Sequence, residues 1–98
     1  MLQLGGDGRP PPGIVDVWEE TGRRAEAEYT WDTRRNDNLA WSHPGARPRC
    51  RFDRIYRRAA DRWLKPVYFE LVGLERIGDT CQRFPSDHWG VLAHFDKV

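Results

Sequence analysis

Residues 83–93 read Arg-Phe-Pro-Ser-Asp-His-Trp-Gly-Val-Leu-Ala. The last three residues are apolar, as in a buried strand, and Pro85 restricts the backbone shortly before them. Ser86, Asp87 and His88 are therefore predicted to form a tight, fixed turn that leads into the strand. A strand end holds side chains rigidly, and histidine changes its charge near neutral pH, so this turn is a candidate chemical site. An ordinary solvated turn is the alternative that the stretch alone leaves open.

The composition is that of one small folded domain with many aromatic side chains. The chain has 98 residues, of which 39% are hydrophobic and 32% charged, with five Trp, four Phe and three Tyr. Disordered chains are poor in aromatic residues, so this sequence is built to fold or to stack on a ligand. It contains neither a membrane-spanning run nor the apolar part of a signal peptide, and Cys50 and Cys81 lack metal-ligand spacing. We therefore expect an intracellular, reduced protein without a membrane partner.

The net charge of +1 conceals a strongly basic central segment. Residues 34–62 contain nine Arg against three Asp, a charge of +6, whereas residues 1–33 carry −4 and residues 63–98 carry −1. Arginine favours bidentate contacts with phosphate and stacking on aromatic rings. Aromatic residues lie in or beside the basic segment, namely Trp31, Trp41, Phe52, Tyr56 and Trp63. This combination is typical of a nucleic-acid groove, with a solvated charged surface as the alternative.

The first half of the chain is predicted to contain one short helix and long connecting loops. Residues 14–21 place apolar side chains at helical spacing and end before Gly22, which predicts an amphipathic helix. Residues 29–33 mix β-forming residues with a carboxylate and predict a short strand or an extended loop. Residues 34–48 are rich in Asn, Gly and Pro and predict a long loop, of a length that is often functional in compact domains.

The second half is predicted to contain three strands. Residues 51–58 alternate two sets of side chains, and residues 67–74 and 89–95 are apolar runs of strand length. A helical turn is expected over residues 59–63, with Lys65-Pro66 ending it. The strands show little alternation of polar and apolar residues, which indicates a sheet that is covered on both faces. Much of that covering is expected to lie outside these 98 residues.

Four blocks of sequence, taken in chain order, resemble the C-terminal part of the endonuclease/exonuclease/phosphatase superfamily. They are Asp16-Val17-Trp18; Thr30-Trp31-Asp32-Thr33 with Asn36, Asn38 and Leu39; Arg51-Phe52-Asp53-Arg54-Ile55; and Phe84-Pro85-Ser86-Asp87-His88-Trp89-Gly90. Ser-Asp-His recurs across the superfamily, whereas the other blocks are more particular. Within the superfamily the sequence is most similar to the 5′-tyrosyl-DNA phosphodiesterases, from about residue 14 to residue 95.

The resemblance implies an α+β fold. The expected architecture is the C-terminal part of a four-layer α/β sandwich, in which two mixed β-sheets are flanked by helices, and it is incomplete in this chain. Residues 1–13 would be a flexible Pro/Gly-rich segment, and residues 14–98 would be the C-terminal portion of the domain. The implied activity is hydrolysis of a phosphodiester at DNA 5′ ends, including tyrosine-linked ends, with Mg²⁺ or Mn²⁺ as cofactor. Such an enzyme acts in DNA repair and would be nuclear in a eukaryote.

The resemblance also implies roles for three polar residues. By motif match, His88 would contact the scissile phosphate and stabilise the charge that develops there, and Asp53 would orient the imidazole of His88. Asp87 would support the metal ion or its water molecules. The residues themselves leave another possibility open, because Asp53 could simply pair with Arg51 or Arg54.

Three apolar positions match the lining of the DNA groove in the tyrosyl-DNA phosphodiesterases. They are Trp31, Leu39 and Phe52, and bases can stack on aromatic residues of this kind. Aromatic residues more commonly lie in the core, so the sequence leaves a groove and a core position open for Trp31 and Phe52. The loop between the two aromatic residues is somewhat longer than the resemblance predicts.

The primary metal ligands of the superfamily are expected outside this chain. Its metal-binding glutamate, an early asparagine and a Gly-Asp-x-Asn motif belong upstream, and Gly6-Asp7-Gly8-Arg9 is no match because the asparagine is missing. The chain is therefore expected to be a C-terminal fragment whose partner is the N-terminal half of the domain. The alternatives are a non-catalytic fragment that binds nucleic acid or another chain, and a superfamily phosphodiesterase that acts on RNA or phospholipid.

Overall fold

The computed structural model describes residues 9–39, 45–78 and 82–98. These ranges contain the elements β1 (Ile14–Asp16), α1 (Val17–Glu20), a 3₁₀ helix (Ala25–Ala27), β2 (Trp31–Asp32), β3 (Arg49–Cys50), β4 (Tyr56–Arg58), β5 (Leu64–Val72) and β6 (Gly90–Lys97). Of these helices, none is long and apolar enough to cross a bilayer. Cys81 and most of residues 1–13 lie outside the described ranges, and the division into residues 1–13 and 14–98 stays a prediction.

The strands pair as three two-stranded antiparallel sheets within the described residues: β1 with β4, β2 with β3, and β5 with β6. The β5–β6 hairpin is the longest, and a register shift falls between Pro66 and Tyr68. At the turn end of the hairpin, Gly90 lies opposite Val72. A Cβ atom on Gly90 would lie 2.8 Å from Cγ2 of Val72, so this close pairing requires glycine.

The core packs the hairpin against α1 and the 3₁₀ helix. Its buried members are Val17, Trp18, Ala27, Phe69, Leu71 and Trp89, with Ile55, Phe84, Val91 and Ala93 packed against them. Phe69 and Leu71 alternate along β5, and their register partners are Ala93 and Val91 on β6. One face of the hairpin therefore faces the core.

The predicted helix over residues 14–21 is wrong for its first three residues. Residues 14–16 form β1, which pairs with β4, and only Val17–Glu20 are helical. Asp16 is extended, with φ −79° and ψ 118°, and its Oδ1 atom accepts a hydrogen bond from the Trp18 amide at 3.1 Å. Asp16 thus caps the helix, and long-range strand pairing overrides the helical spacing of the apolar residues.

The predicted strand over residues 51–58 is confirmed only for its last three residues. Residues 49–50 pair with β2 and residues 56–58 pair with β1, so the chain changes partner between them. Residues 51–55 cross from one sheet to the other without strand pairing. This crossing segment carries Asp53 and Phe52, and their position therefore depends on hydrogen bonds other than a strand ladder.

The two remaining strands are confirmed, with different bounds. β5 begins earlier than predicted and includes Pro66, which lies opposite Phe95 just before the register shift. Lys65-Pro66 therefore does not end a helical turn, and residues 59–63 form turns rather than a helix. β6 begins at Gly90 and extends to Lys97. The turn predicted before it is confirmed, because the His88 amide donates to Oγ of Ser86 at 3.1 Å.

Candidate active site

Thr30 holds the crossing segment that carries Phe52 and Asp53. Its Oγ1 atom accepts hydrogen bonds from the Phe52 amide at 3.0 Å and the Asp53 amide at 2.9 Å. Its carbonyl oxygen accepts a third bond from the Trp89 amide at 2.7 Å. Thr30 is fully buried, so these bonds are shielded from competition with water. One residue thereby contacts both chain segments that carry the predicted site.

Two asparagines hold the turn that precedes β6. Nδ2 of the buried Asn36 donates to the Ser86 carbonyl at 2.8 Å. Asn38 forms a reciprocal pair with Phe84: its Nδ2 donates to the Phe84 carbonyl at 2.9 Å, and its Oδ1 accepts from the Phe84 amide at 3.0 Å. The side chains of Asn36 and Asn38 thus replace strand pairing along residues 84–86. The Asn-x-Asn spacing lets both side-chain amides hydrogen-bond to the backbone of residues 84–86.

Asp53 and His88, which are 35 positions apart, form a direct hydrogen bond in the structure. Oδ2 of Asp53 lies 2.6 Å from Nδ1 of His88, and both side chains are about two-fifths exposed, at 40% and 38%. An ionised carboxylate only accepts hydrogen bonds, so the proton of this contact lies on Nδ1. The other ring nitrogen, Nε2, is then the one that can face a ligand. Arg51 pairs with Asp16 at 2.6 Å, so the alternative that Asp53 pairs with Arg51 is wrong.

An aromatic row lies beside this pair and consists of Trp31, Phe52 and His88. The Trp31 and Phe52 ring centroids are 5.5 Å apart, and those of Phe52 and His88 are 6.1 Å apart, with both pairs tilted by about 35°. Phe52 is 58% exposed and Trp31 is half-buried. The core position that the sequence left open for Phe52 is therefore wrong. The row offers aromatic surface at the edge of the candidate site.

Part of the central basic segment is bound to carboxylates of the chain itself. The pairs are Arg49–Asp32, Arg51–Asp16, Arg57–Glu20 and Arg58–Asp61. A side-chain hydrogen bond with Glu20 raises the pKa of Arg57. Arg34 and Arg35 are exposed, and the Arg35 guanidinium lies 5.5 Å from the ring centroid of Trp89, next to the His88 turn. Much of the positive charge therefore has a structural role.

The described residues do not form a metal centre of their own. Across residues 9–39, 45–78 and 82–98, there is no group of three or more His, Cys, Asp or Glu side chains that could hold a metal ion. Asp87 lies half-buried between Ser86 and His88 in the turn before β6. Its single carboxylate does not fit the near-octahedral oxygen shell that Mg²⁺ requires.

The sequence is similar to that of tyrosyl-DNA phosphodiesterase 2 over most of its length. The rat protein is 46% identical over 88 residues, which are 90% of this chain and 23% of the rat protein. The human protein is 46% identical over 90 residues, covering 90% of this chain and 24% of that protein. This chain is homologous to one part of tyrosyl-DNA phosphodiesterase 2. It spans about a quarter of the relatives it matches, and no protein-family model matches it.

Solved structures of tyrosyl-DNA phosphodiesterase 2 share the fold of this chain. The zebrafish protein, crystallised with a single-stranded DNA product, matches with a TM-score of 0.77 at 39% identity, covering 92% of this chain and 35% of that one. The Caenorhabditis elegans protein matches with a TM-score of 0.72 at 39% identity, covering 89% and 25%. The expected resemblance to the endonuclease/exonuclease/phosphatase superfamily is confirmed, and so is the expected part of an α/β sandwich.

The structure brings together four of the six residues that the resemblance to tyrosyl-DNA phosphodiesterase 2 selects. Trp31, Phe52, Asp53 and His88 form one continuous set of contacts. Asp87 adjoins His88 in the chain, and Leu39 is half-buried immediately after the Asn38 clamp. The roles of all six stay predictions.

Three further residues, Thr30, Asn36 and Asn38, have no role predicted from the sequence. All of them belong to the quoted blocks, and all three hold the backbone of the site. No local sequence pattern marks this role. Only the fold shows that these polar groups lie where the backbone of the site needs hydrogen-bond partners.

Proposed function

We propose that this chain is a segment of a phosphodiesterase that acts on DNA ends in DNA repair, and its similarity to proteins named tyrosyl-DNA phosphodiesterase 2 supports this. The observation that carries the proposal is the 2.6 Å contact between Asp53 and His88 beside an exposed aromatic row. A histidine held by a carboxylate supplies a directed donor, and the row supplies a surface for a base. Both are needed close together if the enzyme cleaves a phosphodiester of a DNA end.

The Asp53–His88 pair supports a role in stabilising negative charge. Because Asp53 accepts from Nδ1, the ring is fixed in one orientation and Nε2 is directed to the other side. When the ring is doubly protonated, Nε2–H can donate to a phosphate oxygen. A preorganised donor of this kind is typically worth about 3–4 kcal/mol in a transition state.

The aromatic row supports a role in holding a DNA strand. Phe52 and Trp31 present tilted rings next to His88, and a base that stacks on such rings gains about 1–3 kcal/mol. Leu39 would extend this surface by its apolar side chain. A DNA end held by the row would bring its terminal phosphate towards His88, and a 5′-tyrosine would be the leaving group.

We infer that the metal ion of such an enzyme would be held by ligands outside the described residues. The described residues do not form a metal centre, so Mg²⁺ or Mn²⁺ would be held by ligands elsewhere in the enzyme, with Asp87 at most supporting its water molecules. We infer that the partner of the chain is the remainder of the domain. An intracellular location, nuclear in a eukaryote, is part of the same proposal.

A second candidate function is binding without catalysis. The coverage of about a quarter of the relatives and the lack of a metal centre among the described residues favour it for the chain in isolation. The exposed aromatic row would then bind single-stranded nucleic acid, and the Asp53–His88 pair would be structural.

A chimera separates the two functions. In it, this chain replaces the matching segment of the zebrafish enzyme, which shares 39% identity with it. We expect the chimera to release tyrosine from a 5′-tyrosyl DNA oligonucleotide with added Mg²⁺. The 98-residue chain alone is expected to bind the oligonucleotide without turnover. A folded chimera that binds DNA but does not cleave it, beside an active parent enzyme, would contradict the proposal and favour the second function.

The chain offers a matched control for the chimera. His94 also lies beside a carboxylate, with Nε2 3.4 Å from Oε2 of Glu70, but on the hairpin away from the Asp53 contact. His88→Ala should abolish most of the activity, whereas His94→Ala should leave it unchanged. Equal losses for the two histidines would show that the effect is one of stability rather than of chemistry.

A further inference from the structure

Thr30 lies between the two halves of the candidate site and touches both. Its hydroxyl accepts the amides of Phe52 and Asp53, and its carbonyl accepts the amide of Trp89, the residue after His88. Asp53 lies on the crossing segment and His88 on the turn before β6. Thr30 thus hydrogen-bonds to the backbone of both segments.

The crossing segment has no strand partner that could fix it in the absence of Thr30. Residues 51–55 lie between the β2–β3 and β1–β4 pairings, and their amides are not part of a ladder. The Thr30 hydroxyl oxygen accepts from two successive amides, which a neighbouring strand does not do because it bonds only every second residue of a strand. A side chain without an acceptor would leave two partly buried amides unsatisfied, and the segment would move to find other partners.

We propose that Thr30 is a positioning residue, whose hydroxyl sets the distance between the Asp53 carboxylate and the His88 imidazole. This inference rests on the proposed function of that pair. Two successive amides bound by one oxygen fix the backbone at Asp53, and the carbonyl bond fixes the chain next to His88. A displacement of about 1 Å between reacting groups can cost about 10²-fold in rate, so a small shift of the crossing segment is sufficient.

Thr30→Val and Thr30→Ser in the chimera test the proposal. Valine keeps the shape and removes the acceptor, and it should lower kcat by about 10- to 100-fold while KM for the DNA substrate changes by less than about twofold. Serine keeps the hydroxyl and should retain most of kcat. The control is Thr33→Val, because the Thr33 hydroxyl donates to the Pro48 carbonyl at 2.8 Å and contacts neither site segment.

A second measurement does not depend on turnover. The ¹⁵N chemical shifts of the His88 ring report whether Nδ1–H still donates to the carboxylate. They should move in Thr30→Val towards the values of Asp53→Asn, and should stay at wild-type values in Thr30→Ser and Thr33→Val.

The outcomes distinguish this inference from the proposed function. An inactive but folded wild-type chimera overturns the proposed function, and the ring shifts still decide whether Thr30 positions the pair. An active chimera in which Thr30→Val matches Thr33→Val in both kcat and ring shifts overturns the role of Thr30. A Thr30→Ser variant that loses kcat by tenfold or more also overturns it, and this variant decides alone if Thr30→Val does not fold.

Discussion

The best-buried polar side chains of the described residues are concentrated around the site. They are Asp16, Thr30, Asp32 and Asn36, each less than 5% exposed. Each has a partner: the two carboxylates bind Arg51 and Arg49, and Thr30 and Asn36 bind backbone groups of the site segments. A buried polar group left without its partner costs about 1–3 kcal/mol. These residues therefore constrain the backbone where strand pairing does not.

The contact between Asp53 and His88 predicts coupled effects on catalysis. In the chimera, His88→Ala should lower kcat by about 10²–10³-fold, since it removes a donor that stabilises developing charge. Asp53→Asn should also lower kcat, because an amide at this position permits the wrong tautomer of the ring. The double variant should be little worse than His88→Ala alone, since both act on one unit. Steady-state kinetics of the four proteins measure this cycle.

A matched pair of variants controls for stability in that cycle. Glu70→Gln and His94→Ala alter the second histidine–carboxylate contact, on the hairpin, and should leave kcat unchanged. Independent, multiplicative losses for Asp53 and His88 would mean that the two residues do not act as a pair. Asp53 would then have a structural role.

The aromatic row predicts a loss of binding rather than of chemistry. Trp31→Ala removes one of the two rings that flank Phe52, so KM for the DNA substrate should rise by roughly 10-fold or more, in line with about 1–3 kcal/mol per stacked base. Hydrolysis of a small phosphodiester without a nucleobase should change little. A comparable loss of kcat on both substrates would contradict a role in DNA binding. Trp63→Ala is the control, because that ring is exposed and lies just before β5.

The turn before β6 is held from outside by side chains of the 34–39 segment. Asn38 clamps Phe84, and Arg76 binds Asp37 through two contacts of 2.9 and 3.1 Å. The Arg76 guanidinium also lies 4.4 Å from the ring centroid of Phe84. The hydrogen bond from Arg76 holds the pKa of Asp37 below its usual value. The 34–39 loop, which contains no strand, is thereby attached to the turn that carries His88.

The Asp37–Arg76 pair predicts a pH-dependent contribution to stability. Because the pKa of Asp37 is lowered in the folded state, its contribution is present above the unfolded pKa, about 4, and is lost as the pH falls through the lower folded pKa. Asp37→Asn should therefore lower the free energy of unfolding at pH 7 and have no effect near pH 2. Urea unfolding of the chimera at several pH values measures the difference.

The effect of that substitution should be small and should shrink in high salt, because both side chains are exposed. Glu75→Gln, at an exposed neighbouring position, serves as the control and should show no such pH dependence. If the stability difference between wild type and Asp37→Asn stayed constant from pH 7 to pH 2, the ion pair would not be its cause.

Across the described residues, the large apolar side chains that are exposed outnumber the buried residues of the core. Large apolar side chains that are at least 36% exposed are Phe52, Trp63, Leu64, Val67, Tyr68, Val72, Leu74, Ile77, Leu92, Phe95 and Val98. Six buried residues form the central core of the described part of the chain. Most of the exposed apolar residues lie on or next to the β5–β6 hairpin. Exposed apolar surface and unpaired strand edges promote association.

We predict that the isolated chain is marginally stable and associates as its concentration rises. Thermal unfolding followed by circular dichroism, together with light scattering, tests both parts. Leu92→Lys should reduce association without loss of stability, because Leu92 is exposed and lies opposite Glu70 on β5. Phe69→Ala should lower stability by about 3–5 kcal/mol or prevent folding, since Phe69 is buried. A sharp, reversible and monomeric transition of the wild-type chain would contradict the prediction.

Features that depend on neighbouring residues could be predicted from the amino-acid sequence. Apolar runs predicted β5 and β6, and Pro85 and the polar residues after it predicted the turn that precedes β6. The motif blocks selected Asp53, His88, Phe52 and Trp31, and the homology to tyrosyl-DNA phosphodiesterase 2 bears out the resemblance on which that selection rested. Residue spacing and motif identity are properties of the sequence, so they can be recognised before the structure is known.

Features that depend on partners far apart in the sequence became visible only in the folded chain. The helical spacing of residues 14–21 was overridden because β1 pairs with β4, and the predicted strand 51–58 was interrupted because its two ends pair with different strands. Folding likewise determined which arginines of the basic segment form ion pairs, because Arg49 and Arg51 bind carboxylates that are distant in the sequence. The role of Thr30 was equally hidden, since its hydroxyl binds amides 22 and 23 residues away. The two partners of such a hydrogen bond have no fixed separation in the sequence. The contact can therefore be recognised only after folding has brought them together.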